Sequence, residues 1–162
     1  MSNKMSKETL FMLFSVLIAL VIVPASYMFS NVDPLESSSI FKQFGMLSVA
    51  AACSFLAYFL AINPKIRRAF IGGAALTTAV IQAWAIYGVL LSEGDPKGAV
   101  VLFQIYLLSS LGLLIVSTIW AFARPRWIYP QQGSAVKYAL FGGSTTVINY
   151  FIILFIFYIL TL

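Results

Sequence analysis

The stretch NPKIRR, residues 63–68, stands where one long apolar run, residues 40–62, gives way to another, residues 67–91. Proline pushes the residue before it out of the helical region, so the first of these helices is predicted to stop at Asn63. The three basic residues of the stretch make continuous burial in lipid very costly. The stretch therefore predicts a tight hairpin of two helices, with its basic residues at one surface of a membrane.

The composition shows that lipid, rather than water, surrounds most of the chain. Hydrophobic residues make up 61% of its 162 residues and charged residues only 9%, whereas a soluble domain has about 25% charged residues. Five apolar stretches are long enough to cross about 30 Å of hydrocarbon as helices. We therefore predict an all-α polytopic membrane protein, a single transmembrane domain over residues 1–162 with short loops. The predicted spans are about 9–30, 40–62, 67–91, 98–123 and 136–161.

The distribution of charge gives this arrangement an orientation. Eight of the ten basic residues lie at the N-terminus, in the 63–68 turn or in the 124–137 loop, which five spans place on one side. Four of the five acidic residues lie on the other side. Basic loops mark the cytoplasmic side, so the N-terminus is predicted inside and the C-terminus outside, most naturally in a prokaryotic plasma membrane. The residues that set this topology are Lys65, Arg67, Arg68, Arg124 and Arg126.

The reactive residue types are few. The chain has no histidine and a single cysteine, Cys53, so an internal disulfide and the usual multi-ligand thiolate or imidazole metal sites are impossible. Cys53 stands in an apolar run and is predicted to be a buried structural thiol. The acidic residues all lie near the ends of spans, which leaves no acid at mid-depth for a proton relay. We therefore predict no catalytic residue, no metal ligand and no intrinsic cofactor, with bound lipid expected and no nucleic-acid partner.

Uncharged polar residues and small residues mark where helices are predicted to pack. Amides inside a span must find hydrogen-bond partners, and either bonds between helices or a polar pocket would supply them. Small residues four apart in the third span, and on one face of the fifth, allow helix backbones to approach closely. The opposite face of the fifth span is predicted to meet lipid or a partner. The packing residues are Gln82, Gln104, Asn149, Ala75, Ala79, Ala83, Ala139, Gly143 and Thr146.

Two segments resemble parts of known families. Residues 7–62, with Pro24 late in the first span and a second span rich in small residues, resemble a two-helix assembly factor of the vacuolar ATPase. The stretch from Lys137 to Tyr150 resembles the first helix of the GtrA-like flippase family. The first resemblance implies a role in assembling a membrane complex, and the second implies movement of lipid. Each covers only part of the chain.

A chain with several spans, very short loops and no catalytic set is suited to packing against other membrane subunits. We expect a non-catalytic accessory subunit of a larger integral membrane complex of the respiratory, oxygenase or ATPase type. Its expected partners are membrane lipids and other integral membrane subunits. Two alternatives stay open: a small oligomeric transporter or lipid flippase, with its polar intramembrane residues lining a cavity, and a membrane assembly factor.

Overall fold

A computed structural model of the chain describes residues 6–28, 51–60, 62–91, 115, 119 and 134–160. The elements in this part of the chain are helical, which confirms the predicted all-α class there. The described helices overlap the first, third and fifth predicted spans. Residues 40–50 of the second predicted span lie outside the described residues, as does the predicted span 98–123 except at Ile115 and Ile119. The helices are α1 (Lys7–Leu17), a π-helical segment (Ile18–Ile22), α2 (Val23–Met28), α3 (Ala51–Leu60), α4 (Arg67–Leu91) and α5 (Ala135–Leu160).

Two stretches of described helix are long and apolar enough to cross a membrane, Lys7–Ala25 and Ala135–Leu160. The described part of α3 is apolar but shorter, and α4 is not one of the two. These helices are compatible with a membrane protein by length and composition. The five-span architecture stays a prediction.

The chain reverses direction at residues 63–68. The side-chain oxygen of Asn63 accepts a hydrogen bond from the backbone N–H of Lys65 at 3.0 Å, which forms a tight turn beside the proline. Just before and just after this turn, the rings of Tyr58 and Phe70 pack edge to face with centroids 5.3 Å apart. A continuous straight helix would separate these two residues by about 18 Å. The predicted pair of helices in place of one long helix is therefore confirmed.

Helices α4 and α5 run parallel and in direct contact. Gly73 of α4 lies against the backbone of Ala139, and one turn further along, Thr77 lies against Gly143. The contacts advance in the same direction along both helices. The two helices therefore begin at the same end of the bundle.

Helix α1 joins this bundle in the same direction. The guanidinium of Arg68, at the start of α4, lies 3.4 Å from the hydroxyl oxygen of Ser6, at the start of α1. One turn further along, Gly72 lies against the ring of Phe11. The helices α1, α4 and α5 thus begin at one shared end, which we call the N-terminal end of the bundle. The described basic residues of the N-terminus, the 63–68 turn and the start of α5 lie together there, as the charge pattern predicts.

Serine side chains begin two of these helices. The hydroxyl oxygen of Ser6 accepts a hydrogen bond from the N–H of Thr9 at 3.2 Å, and that of Ser134 accepts from the N–H of Lys137 at 3.4 Å. Each bond satisfies an N–H group that has no partner within the first turn of a helix. Local sequence therefore sets where α1 and α5 begin.

The first helix contains a wider, π-helical turn just before Pro24 and continues past that residue. The N–H of Val23 bonds the carbonyl of Ile18, five residues back, which is the pattern of a π-helical turn. Proline has no N–H, and its ring crowds the carbonyl four residues before it. The wider turn relieves that crowding, and the helix continues as α2 to Met28.

The buried interior is formed by one face of each helix packed around α4. Cys53 is not part of this interior. Ala51, Phe55 and Tyr58 of α3 are buried, whereas Cys53 is exposed, which corrects the prediction of a buried thiol. Successive residues of a helix are about 100° apart, so Cys53 is turned about 200° away from both Ala51 and Phe55. An apolar neighbourhood in the sequence did not reveal that turn, because the outer face of α3 is apolar as well.

Candidate functional site

The closest approach between helices lies where α4 crosses α5, at two glycines. A methyl group added to Gly73 would collide with the backbone of Ala139, and one added to Gly142 would collide with the carbonyl of Phe70. The two backbones therefore meet without side chains between them. The sequence-based prediction named Gly143 but missed Gly73 and Gly142. The available signal was a pair of adjacent glycines inside each of two apolar helices.

The small residues predicted for packing on α4 divide between two faces. Ala75 and Ala79 are buried, whereas Ala83 is exposed. A spacing of four residues drifts by about 40° per step, so Ala83 is turned about 80° from Ala75. Gln82, seven residues after Ala75, returns to within about 20° of it and is buried. The structure thus keeps Gln82 on the inner face and places Ala83 outside it.

Helix α5 presents one polar and small-residue face to the interior. Gly143, Thr146 and Asn149 are buried, and Ala139 is half-buried at the contact with Gly73. The broad apolar face lies on the outside, which is where the sequence pattern predicts it. Its exposed members include Phe151, Ile152, Phe155 and Ile159.

The buried threonines satisfy their hydroxyl groups within their own helices. Thr78 donates to the carbonyl of Ala74 at 2.9 Å, and Thr146 donates to the carbonyl of Gly142 at 3.1 Å. Both partners lie four residues back, which is the usual partner of a hydroxyl inside a helix. These two residues therefore add small polar bulk to the interface while their hydroxyls bond within their own helices.

A buried hydrogen bond between side chains joins α5 to α3. The amide nitrogen of Asn149 donates to the hydroxyl oxygen of Tyr58 at 2.9 Å, and both residues are fully buried. The side-chain amide oxygens of Asn149 (Oδ1) and Gln82 (Oε1) are buried with no hydrogen-bond partner among the residues that the structure describes. Tyr58 was missed from the sequence, although a tyrosine inside a span usually finds a partner for its hydroxyl. Gln104 lies outside the described residues.

The basic residues of the turn are held at the N-terminal end of the bundle. Arg67 donates from Nε to the carbonyl of Ile62 at 3.1 Å, and its guanidinium lies 4.1 Å from the ring centre of Phe59. A cation over an aromatic face is stabilised by the electron density of the ring. Lys65 and Arg68 are exposed at the same end. Arg124 and Arg126 lie outside the described residues.

An open groove of about 690 Å³ lies between α1, α4 and α5, near the N-terminal end of the bundle. Its walls are largely apolar, with Lys7 and Glu8 at one end and the hydroxyls of Thr77 and Ser144 further along. The other described residues that line it are Phe11, Ala69, Gly73, Leu76, Ala135, Val136, Ala139, Leu140, Gly143, Val147 and Ile148. We call this feature the α1–α4–α5 groove.

Comparison of the chain with known proteins identifies no relative. No protein-family model matches the chain, and no curated protein or solved structure shows significant similarity to it. The resemblances to a vacuolar ATPase assembly factor and to the GtrA-like flippases therefore remain likenesses of single segments. The described part of the chain defines an all-helical bundle with a polar contact inside and apolar faces outside.

Proposed function

We propose that the chain is a non-catalytic subunit of a larger integral membrane complex, with five spans and a cytoplasmic N-terminus. The observation that carries this proposal is a closely joined bundle with broad apolar outer faces. On α5 these include Phe151, Phe155 and Leu160, whose exposed fractions are 68%, 64% and 78%. Apolar area of that extent requires lipid or protein to cover it.

The parallel order of the helices supports the five-span part of the proposal. Helices α4 and α5 begin at the same end, and the five-span prediction places between them a span that returns along the bundle. The predicted span 98–123 would supply that return, as the predicted span 40–62 would supply the return between the first helix and α4. Odd-numbered spans then run in one direction, which agrees with the alternation of charge.

The interior of the bundle suits a structural role. Direct backbone contact at Gly73 and Gly142, together with the bond from Asn149 to Tyr58, fixes the relative positions of three helices. Close packing without long side chains leaves few alternative arrangements of the helices. The aromatic face of α5 is then presented in one orientation, and aromatic residues are enriched at protein interfaces.

Purification in mild detergent followed by mass spectrometry tests this proposal. Integral membrane partners are expected at constant stoichiometry with the wild-type chain. The double substitution of Phe151→Ala and Phe155→Ala is expected to reduce their recovery, because it removes the outer face of α5. A matched pair on the outer face of α1, Leu13→Ala and Phe14→Ala, removes similar exposed area and is expected to leave recovery unchanged. Equal losses from both pairs would contradict an interface on α5.

The α1–α4–α5 groove favours a second candidate, a small oligomeric transporter or lipid flippase. A concave space of about 690 Å³ falls within the size range of small-molecule pockets. A homo-oligomer that moves solute or lipid across reconstituted liposomes would favour this candidate. Partners recovered only in substoichiometric amounts would instead favour a membrane assembly factor.

A further inference from the structure

The α1–α4–α5 groove follows the helices from the N-terminal end of the bundle into the apolar region. Along α5 its lining extends from Ala135 to Ile148, and this distance is about 20 Å along a helix axis. Half of a hydrocarbon core is about 15 Å thick. The groove is therefore about as long as one membrane leaflet, if the bundle spans the membrane as proposed above.

The charged lining residues lie at one end of this length, and the other described lining residues are apolar or small apart from Thr77 and Ser144. Lys7 and Glu8 line the end where the helices begin, whereas Leu76, Val147 and Ile148 lie further along. A molecule with a charged head and a long apolar tail has this distribution of chemistry. A compact polar solute would find few hydrogen-bonding groups on these walls.

The charge at the N-terminal end favours an anionic head. Among the described residues at that end there are five basic residues and one acidic residue, Glu8. Lys7 lines the groove, and the guanidinium of Arg68 lies 3.4 Å from the hydroxyl oxygen of Ser6, the residue before Lys7. Basic pockets between membrane helices attract anionic lipid headgroups. The five basic residues are Lys7, Lys65, Arg67, Arg68 and Lys137.

We propose that the α1–α4–α5 groove binds one anionic phospholipid from the leaflet at the N-terminal end of the bundle. An acyl chain lies along Leu76, Leu140 and Val147, and the phosphate lies beside Lys7 and Arg68. This inference rests on the membrane placement of the proposed function but does not depend on any partner subunit. A bound lipid would also cover apolar wall that the three helices leave open.

Native mass spectrometry of the purified, delipidated full-length chain in detergent tests the site. The probes are phosphatidylglycerol and phosphatidylcholine with identical acyl chains, and one phosphatidylglycerol per chain is expected to bind in preference to phosphatidylcholine. Lys7→Gln is expected to weaken phosphatidylglycerol binding about fivefold and to leave phosphatidylcholine binding unchanged. Lys65→Gln is the matched control, because Lys65 is exposed at the same end but does not line the groove.

A second variant tests the apolar part of the groove. Ser144 is exposed and lines the groove, so Ser144→Trp places a large ring there from outside the close contact of α4 and α5. Loss of phosphatidylglycerol binding with an unchanged helical circular dichroism spectrum is expected. If Ser144→Trp does not fold, the comparison of Lys7→Gln with Lys65→Gln still decides the location of the headgroup.

Several results would overturn the proposal. They are equal binding of the two lipids, equal effects of Lys7→Gln and Lys65→Gln, and full binding to a folded Ser144→Trp variant. A wild-type dimer that Ser144→Trp dissociates would assign the groove to a second copy of the chain instead. Because lipid binding is measured on the isolated chain, a purification without partner subunits would contradict the proposed function and leave this result standing.

Discussion

At the scale of single residues, the contact between Asn149 and Tyr58 is the clearest case of a polar group that needs its partner. The amide nitrogen of Asn149 lies 2.9 Å from the hydroxyl oxygen that accepts its hydrogen bond, and neither side chain reaches the surface. Hydrogen bonds between membrane helices contribute about 0.6–2 kcal/mol. The bond also joins α5 to α3, which are distant in the sequence.

Tyr58→Phe is expected to lower the free energy of unfolding by about 1 kcal/mol, because the amide of Asn149 loses its acceptor while the ring packing is kept. The measurement is a titration of dodecylmaltoside micelles with sodium dodecyl sulfate, followed by circular dichroism. Tyr87→Phe is the control, since the side chain of Tyr87 is 61% exposed. Equal stability of the two variants would show that the buried bond contributes nothing.

At the scale of helices, the bundle depends on the contact of α4 with α5 at Gly73 and Gly142. Each glycine faces backbone of the other helix, which cannot move aside without shifting the whole helix. The adjacent Gly72 mainly faces the ring of Phe11, a side chain that can rotate, and an added carbon there would lie 3.3 Å from the Cα of Met12. Gly73 and Gly72 are therefore expected to tolerate an added methyl group to different degrees.

Gly73→Ala is expected to cost about 2 kcal/mol of unfolding free energy, because α5 must move away from α4 and the lost contacts exceed the gain in helix propensity. Gly72→Ala is expected to cost less than half as much, since the ring of Phe11 can adjust. The same detergent titration measures both variants. A larger loss for Gly72→Ala would show that the contact with α1, and not the contact with α5, limits the stability of the bundle.

At the scale of the whole molecule, three parallel helices bring separate basic segments to one end. The guanidinium of Arg68 near Ser6 and the contact of Gly73 with Ala139 place the starts of α1, α4 and α5 together. The five-span prediction is consistent with three passages in one direction, because its even-numbered spans run the opposite way. The predicted orientation, with this basic end in the cytoplasm, follows from the positive-inside rule.

Labelling of single cysteines tests that orientation in a Cys53→Ser background. In intact cells, a membrane-impermeant maleimide is expected to label Leu162→Cys, which lies on the predicted outer side. Lys65→Cys is expected to react only after the membrane is permeabilised, because the 63–68 turn is predicted inside. Labelling of both positions from the same side would contradict an odd number of spans between the 63–68 turn and residue 162.

The features that depend on neighbouring residues could be predicted from the sequence. Composition and apolar length predicted the helical class, the turn at 63–68 followed from its proline and basic residues, and helical periodicity predicted the inner face of α5 around Asn149. The tertiary structure was needed to find which residues meet across helices. It identified Gly73 and Gly142 as the contact points, gave Asn149 its partner Tyr58, turned Ala83 and Cys53 outward and formed the α1–α4–α5 groove. The physical reason is that apolar residues occur on both the inner and the outer faces of these helices, so hydrophobicity along the chain does not reveal which face meets which neighbour.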